Sequence, residues 1–474
     1  MKNLRCINEA LSNIKNESGS ARDFLAKLID EHSFVEYDAF LSGKDEIYDS
    51  IPAGEGIITG RGTLNAFGVS VAVQNADVLG GSFGKAHSDK LIRSIARTAH
   101  QRIPLISVID SSGMRISEGV PALDAYAKVI KAAIELKKVS THIAIIKGPA
   151  TGLMAVFAAT ADFLFISDMD GATNGRLPSL SLGVPMTISA GAGLNKSANE
   201  IVGPSENTQN GVATGTFKTI EELKTTITDI LQNMQDEFID SPDDPNRVSD
   251  TLNENISHEE LLKALVDNGE YIEFYKSDNT SVKTVLASVN SISVGVVLAG
   301  DKDARKLTVA DIKKITRFIN MLAKTCVTLV NLVDCEGIVS DLTAEKNGIL
   351  LDVVALFEAL TNSPSRKVAV VTGAAIGAAY ATLVSKAAGY DYVVAFADAT
   401  INPMSSAAAV AAFEAGQLNG VSDPVKARAT LEAKYKSDNS SSLEAAKYGC
   451  VDAVIEPSLL RPFIAGELTA ATIW

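Results

Sequence analysis

The chain lacks the side-chain signatures of many familiar catalysts. It has no G-x-S-x-G elbow and no Gly-Lys-Ser/Thr phosphate loop, which argues against a serine hydrolase and a P-loop nucleotidase. Its five histidines, His32, His87, His100, His142 and His258, show neither HExxH nor another metal spacing, so no metal site is expected. Its four cysteines, Cys6, Cys326, Cys335 and Cys450, lie far apart and include no C-x-x-C; mostly buried, reduced thiols are expected instead of a zinc ribbon. Positive charge is scarce: 43 Lys and Arg stand against 57 Asp and Glu, for a net charge of −14. That balance opposes nucleic acid or an anionic membrane as a general partner. No apolar h-region follows Met1-Lys2-Asn3-Leu4-Arg5, so a secretory signal is not expected and the protein reads as cytoplasmic. The uncharged run 368–385, between Lys367 and Lys386, is long enough to span a membrane. Its pattern instead divides it into a strand at 368–371, a glycine turn and a helix.

What the chain does contain is two copies of one pattern. Gly148-Pro149-Ala150-Thr151-Gly152-Leu153-Met154-Ala155 matches Gly373-Ala374-Ala375-Ile376-Gly377-Ala378-Ala379-Tyr380, with 373 − 148 = 377 − 152 = 225 positions between the copies. Other matches keep the same order. Lys27-Leu28-Ile29-Asp30 pairs with Ala264-Leu265-Val266-Asp267, and Gly62-Thr63-Leu64-Asn65 with Ala287-Ser288-Val289-Asn290. Lys90-Leu91-Ile92-Arg93 pairs with Lys314-Ile315-Thr316-Arg317, and Val108-Ile109-Asp110 with Leu332-Val333-Asp334. Ordered matches over this length indicate a duplicated domain, not a solenoid of short repeats. Hydrophobic residues make up 46% of the 474 and charged residues 21%, enough for each half to bury its own core.

Short apolar runs at 69–73, 105–109, 143–146 and 163–166 read as strands, and 89–100 and 121–136 as helices. The alternation predicts an α/β fold with largely parallel sheets. Residues 1–45 read as a helical lead. The Pro- and Asp-rich stretch 241–247 reads as the linker between domains 1–240 and 241–474, and 437–442 as a surface loop.

Each Gly-x-x-x-Gly run follows a hydrophobic strand and opens a small-residue helix. There it can present unpaired backbone N–H groups to an oxyanion. Losing one such donor costs roughly 3–4 kcal/mol of catalysis, and no side chain is involved. Asp110 and Asp334 end buried strands before glycine turns and read as turn and cap residues. Lys85, His87, Arg115 and Arg176 are candidates for phosphate contacts; Arg115 has a second reading, an ion pair with Glu118 or another carboxylate.

Taken together, several motifs resemble the carboxyltransferase subunits of biotin-dependent acyl-CoA carboxylases. They are similar also to those of biotin-dependent, sodium-pumping acyl-CoA decarboxylases. The motifs are Gly80-Gly81-Ser82-Phe83-Gly84, the run from Asp110 to Gly119, the two Gly-x-x-x-Gly turns, and Asp334-Cys335-Glu336-Gly337. The resemblance spans nearly the whole chain. It implies two tandem crotonase/ClpP-like domains of ββα-spiral type, acyl-CoA on the first and biotin on the second. It implies a dimer or hexamer, with the active site between the first half of one subunit and the second half of another. Carried over by motif, the oxyanion holes are the N–H groups of Gly152 with Leu153, for the thioester oxygen, and of Ala378 with Ala379, for the ureido oxygen of biotin. Gly113, Met114, Arg115, Gly148, Ala150, Gly377, Tyr380 and Ala381 would surround the ligands.

The resemblance further implies a coenzyme A thioester as substrate, no metal, and biotin carried on a separate biotin carboxyl carrier protein. No Met-Lys-Met attachment motif and no ATP-grasp-like region is legible. A biotin carboxylase, or a membrane decarboxylase pump subunit, is then the remaining partner. The chain departs from the family where Leu153 and Ala378 stand for glycines, and where Met114 interrupts the usual small-residue run. Those losses motivate a reading of another class, a catalytically silent CoA-binding scaffold.

Overall fold

A computed structural model of the chain describes residues 19–43, 54–169, 176–193, 196–234, 243–253, 257–276, 280–300, 305–418 and 421–472. The chain divides into two compact units, Met1–Leu231 and Gln232–Trp474. The first part of the expected helical lead, 1–18, lies outside the described residues, as do 241 and 242 of the expected linker.

In the first unit α1 (Gly19–Leu28) precedes β1 (Val35–Tyr37), β2 (Ile57–Leu64) and β3 (Phe67–Gln74). Next come α2 (Lys85–Gln101), β4 (Leu105–Ile109), α3 (Val120–Leu136), β5 (His142–Ile146), β6 (Pro149–Thr151) and α4 (Leu153–Ala159). The unit closes with β7 (Phe163–Ser167), β8 (Ser179–Ser181), β9 (Gly215–Phe217) and α5 (Ile220–Asn233). The sheet order is β1-β2-β3-β4-β5-β7-β9, antiparallel through β3 and parallel beyond it. Strands β4, β5 and β7 are buried along their length, which is why they read as continuous apolar runs.

The second unit repeats the plan. β10 (Tyr271–Phe274), β11 (Lys283–Val289) and β12 (Ile292–Ala299) lead to β13 (Lys306–Leu307), α6 (Val309–Leu322), β14 (Thr328–Cys335) and β15 (Gly337–Ile338). α7 (Ile349–Asn362), β16 (Lys367–Ile376), α8 (Ala378–Leu383), β17 (Tyr392–Phe396) and β18 (Thr400–Asn402) follow. The last elements are α9 (Pro424–Asn439), α10 (Ser442–Lys447), β19 (Ala453–Ile455) and α11 (Leu460–Thr472). The order β10-β11-β12-β14-β16-β17-β19 has the same antiparallel-then-parallel division.

Both units anchor their first hairpin alike. The β2–β3 turn places Asn65 and Ala66 at positive φ, and the β11–β12 turn does so for Asn290 and Ser291. Two consecutive positive-φ residues make the tight turn that matches strand twist. Neither turn uses glycine; an aspartate stabilises each instead. Asp30 accepts the N–H groups of Asn65 and Ala66, each at 2.9 Å, and Asp267 those of Asn290 and Ser291, each at 2.9 Å. Lys224 on α5 neutralises Asp30 at 3.0 Å, and Arg461 on α11 neutralises Asp267 at 2.6 Å.

Four expectations need correction. The helical lead expected at 1–45 includes β1, which pairs with β2 across Thr59–Arg61. The strand expected at 368–371 runs on to Ile376, because Ala374 to Ile376 find a second parallel partner in β18. The uncharged run is therefore mostly strand followed by a short helix, and no helix among the described residues is long and apolar enough to cross a membrane. The loop expected at 437–442 is the junction of α9 and α10. Ser440 and Ser442 are buried there, and the Ser441 hydroxyl accepts the Glu444 N–H. Of the described cysteines, only Cys335 is buried; Cys326 is exposed and Cys450 intermediate.

Candidate functional site

The two glycine turns have nearly the same backbone. Gly152 has φ 63° and ψ −134°, Gly377 φ 55° and ψ −124°, a region that side chains with a Cβ rarely enter. Each turn links a strand to the first residue of a helix. Gly152 N–H donates to Ser181 O at 3.1 Å, closing the β6–β8 pair, and Gly377 N–H donates to Asn402 O at 2.9 Å, closing β16–β18. The expectation that Gly152 is an oxyanion donor is thereby corrected: its N–H already has a partner. The donors at the turns start one residue later, at Leu153 and Ala378, the first positions of α4 and α8. Leu153 is half-buried and Ala378 exposed, whereas Met154 and Ala379 behind them are fully buried. The N–H of Ala379, expected as a donor, therefore does not face solvent.

Near each turn a short parallel bridge leaves a further backbone N–H pointing away from its partner strand. Phe83 donates to Gly113 O at 3.1 Å and accepts from Arg115 N–H at 2.9 Å, so the bridge is made by the neighbours of Met114. The N–H of Met114 itself points to the other side, as parallel pairing requires. A Cβ on Gly113 would lie 3.8 Å from Thr151 Oγ1, so this loop borders β6, and Met114 and Leu153 pack against the same core cluster. In the second unit Val339 N–H donates to Leu307 O at 2.9 Å, which turns Ile338 N–H away from β13. β15 packs against α8, and a Cβ on Gly337 would lie 3.7 Å from Ile376 O. Sequence reasoning named Met114 but missed Ile338. The match of Gly337 to Gly113 was the available signal.

Beneath each turn lies an aspartate–arginine knot. The carboxylate of Asp110 sits 2.2 Å from where a Cβ on Gly148 would be, and that of Asp334 2.3 Å from the same point on Gly373. Arg176 Nε donates to Asp110 at 2.9 Å, its Nη1 to Ser112 Oγ at 3.1 Å and its Nη2 to Gly80 O at 3.0 Å. Asp334 accepts the Ala374 N–H at 2.8 Å and pairs with Arg305, whose Nη1 reaches Glu336 at 2.6 Å. The arginines come from different places, Arg176 from between β7 and β8 and Arg305 from between β12 and β13. Asp334 holds its turn through the Ala374 N–H, as its position suggested; Pro149 at the matching position has no N–H, and the Asp110 carboxylate is bound by Arg176 and Lys147 instead.

The remaining candidates separate into open and closed. Ala381 is exposed and Tyr380 half-buried on α8, while Gly148 and Ala150 are buried at the turn and in β6. Burial and a hydrogen bond to Cys450 push the Tyr380 hydroxyl well above its ordinary pKa. Lys85 is exposed and paired with Asp89 at 2.7 Å. His87 is buried, its Nδ1 2.8 Å from Glu55 O, and burial holds its pKa down at about 3, so it is neutral. Arg115 takes the ion-pair reading and not the ligand one: its side chain is 2% exposed and pairs with Glu118 at 3.1 Å, as the sequence suggested, and with Glu55 at 2.8 Å. Among the described residues no cluster of His, Cys, Asp or Glu could hold a metal ion. Each turn thus presents the backbone N–H of the first residue of a short helix, Leu153 or Ala378, and neither residue has a side-chain acid or base.

The family model for the carboxyl transferase domain matches residues 15–472. The chain is 29% identical over 469 residues to the methylmalonyl-CoA decarboxylase subunit alpha of Veillonella parvula, covering 95% of this chain and 89% of that one. It is 28% identical over 487 residues to a biotin-dependent acetyl-/propionyl-coenzyme A carboxylase beta5 subunit of Mycobacterium tuberculosis, covering 95% and 86%. The crystal structure of transcarboxylase 12S, a hexamer with methylmalonyl-coenzyme A and methylmalonic acid bound, superposes with a TM-score of 0.90 at 25% identity, covering 99% of this chain and 95% of that one. With the fold, the enzyme class and nearly the full length in agreement, the chain belongs to the carboxyl transferase domain family and is an acyl-CoA carboxyltransferase.

Proposed function

We propose that the protein moves a carboxyl group between biotin on a separate carrier protein and a short-chain acyl-CoA, with one donor turn for each ligand. The observation that carries this reading is the pair of glycine turns, one per unit, with φ and ψ within 10° of each other and the same first-position N–H. Leu153 N–H, faced by Met114 N–H, receives the thioester oxygen as it takes enolate charge. Ala378 N–H, faced by Ile338 N–H, receives the ureido oxygen of biotin as the carboxyl group leaves. Biotin supplies the carboxyl group and, once relieved of it, the base that takes the α-proton. The donors hold the two developing charges, and excluding water protects the enolate until it attacks carbon dioxide.

The first unit is then the acyl-CoA side, the second the biotin side, and the repeated plan a gene duplication. A biotin carboxyl carrier protein, a biotin carboxylase and assembly into a dimer or hexamer complete the carboxylase reading. The decarboxylase alternative, with a membrane pump subunit as partner, draws support from the Veillonella relative. The test is decarboxylation of malonyl-CoA, methylmalonyl-CoA and glutaconyl-CoA by the purified oligomer, with and without free biotin. Biotin-dependent loss of carbon dioxide is expected, and biotin-independent loss would remove the second turn from the mechanism. No turnover even with a biotinylated carrier would favour the silent scaffold.

A further inference from the structure

We infer that Arg115 is a positioning residue for the first donor pair, acting through Met114 and not on the substrate; the inference rests on the proposed role of that pair. Two carboxylates meet on its guanidinium, each bound in turn to the backbone of a further segment. Nη1 donates to Glu55 at 2.8 Å and to Glu118 at 3.1 Å, while Nε and Nη2 have no partner among the described residues, so one nitrogen carries both ion pairs. The other Glu55 oxygen accepts the Gly43 N–H. The other Glu118 oxygen accepts the Lys85 N–H at 2.5 Å, at the start of α2, and the carboxylate fills the space a Cβ on Gly84 would need.

Met114 is therefore gripped from both sides. Its bridge to Phe83 fixes the backbone plane, and the adjoining Arg115 side chain ties that loop to the start of α2 and to the segment around Glu55. A donor aimed at an oxyanion works only if its direction is set beforehand, because reorienting it during the reaction forfeits the gain. The second unit holds its loop differently: Val339 stands where Arg115 does, and Ile338 sits in the short β13–β15 ladder beside the partly exposed Arg305–Glu336 pair.

Replacing Arg115 alone leaves Glu55 buried without a counter-charge, which can prevent folding. The informative variant is the double Glu55→Gln, Arg115→Met, with Arg115→Lys as the conservative partner. In biotin-dependent decarboxylation the double variant is expected to lose about 100-fold in kcat, with KM for acyl-CoA within about threefold. Arg115→Lys, which restores a cation, is expected to lose about tenfold or less. Amide hydrogen exchange over residues 111–119 is expected to quicken in the double variant and stay near wild type over β4 and α3. Unchanged exchange over 111–119 overturns the proposal, and so does a rise in KM at constant kcat, which would mark a ligand contact. Because exchange is read without turnover, an inactive wild type would sink the functional reading alone.

Discussion

The first unit sets its donor turn beside buried charges, Arg115 and Asp110, and the second sets an equivalent turn over the more exposed pair of Asp334 and Arg305. Where the first has Arg115, Lys147 and His87, the second has Val339, Thr372 and Asp311. Lys147 Nζ lies 3.8 Å from Asp110, whereas Thr372 turns its hydroxyl to Val333 O. The turns themselves hardly differ, within 10° in φ and ψ. Backbone donors explain how the two can go together. A site made of N–H groups constrains dihedral angles and close approach, and leaves the surrounding side chains free to follow a different ligand.

The strongest way to break this comparison is at the glycines where it is tightest. Gly148→Ala and Gly373→Ala each drive a Cβ into an aspartate carboxylate at 2.2 and 2.3 Å. Each is expected to cost at least about 100-fold in carboxyl transfer, whichever unit is altered. A large loss from one and none from the other, in steady-state assays of folded protein, would end the claim that both turns serve the reaction.

Arg176→Met and Arg305→Met should separate the units by stability. Asp110 and its partner Arg176 have side chains 3% and 24% exposed, so losing Arg176 leaves the buried carboxylate only the Lys147 ammonium at 3.8 Å, at an expected cost of about 3 kcal/mol. Asp334 and Arg305, at 18% and 34%, are screened by water, and about 1 kcal/mol is expected. Equal losses in urea unfolding would erase the distinction.

A pH series sharpens the same contrast. Burial lowers the His87 pKa from 6.5 to about 3, so below pH 6.5 the unfolded chain binds a proton that the folded chain does not. Stability of the first unit should therefore fall as pH drops from 6.5 towards 3. By pH 5 the loss is about 2 kcal/mol, at 1.36 kcal/mol per pH unit. His87→Gln should flatten that dependence between pH 7 and 5, measured by denaturant unfolding; a slope identical to wild type would refute the assignment. The second unit, with Asp311 at that position, has no matching histidine term.

The smallest effect is expected at the residue where the turns differ most. Leu153→Ala should leave kcat within about threefold and shift the preference among acyl chains by about tenfold or less, since a few methylenes are worth about 1–3 kcal/mol. A collapse of kcat in a folded variant would mean that the leucine side chain supports the donor itself.

Much of this was legible beforehand, because it depends on local pattern. The buried parallel strands at 105–109, 143–146 and 163–166 announce themselves as apolar runs, and the turn glycines as small residues between a strand and a helix. The acceptor of the Gly152 N–H was not legible, because Ser181 lies far along the chain and pairs with it only after β6 and β8 align. The Arg115–Glu118 pair was legible at its i, i+3 spacing, but Glu55, which reaches Arg115 from another segment, was not. The run 368–376 misled for the same reason, its extension depending on β18 as a partner.

The sequence by itself determined that the chain carries one α/β pattern twice, with a glycine turn in each copy where only a residue without a Cβ can adopt the backbone. Tertiary structure alone decided which N–H groups remain available there. Availability is what is left after strands distant in sequence have taken their hydrogen bonds, and that accounting is complete only when the sheet has closed.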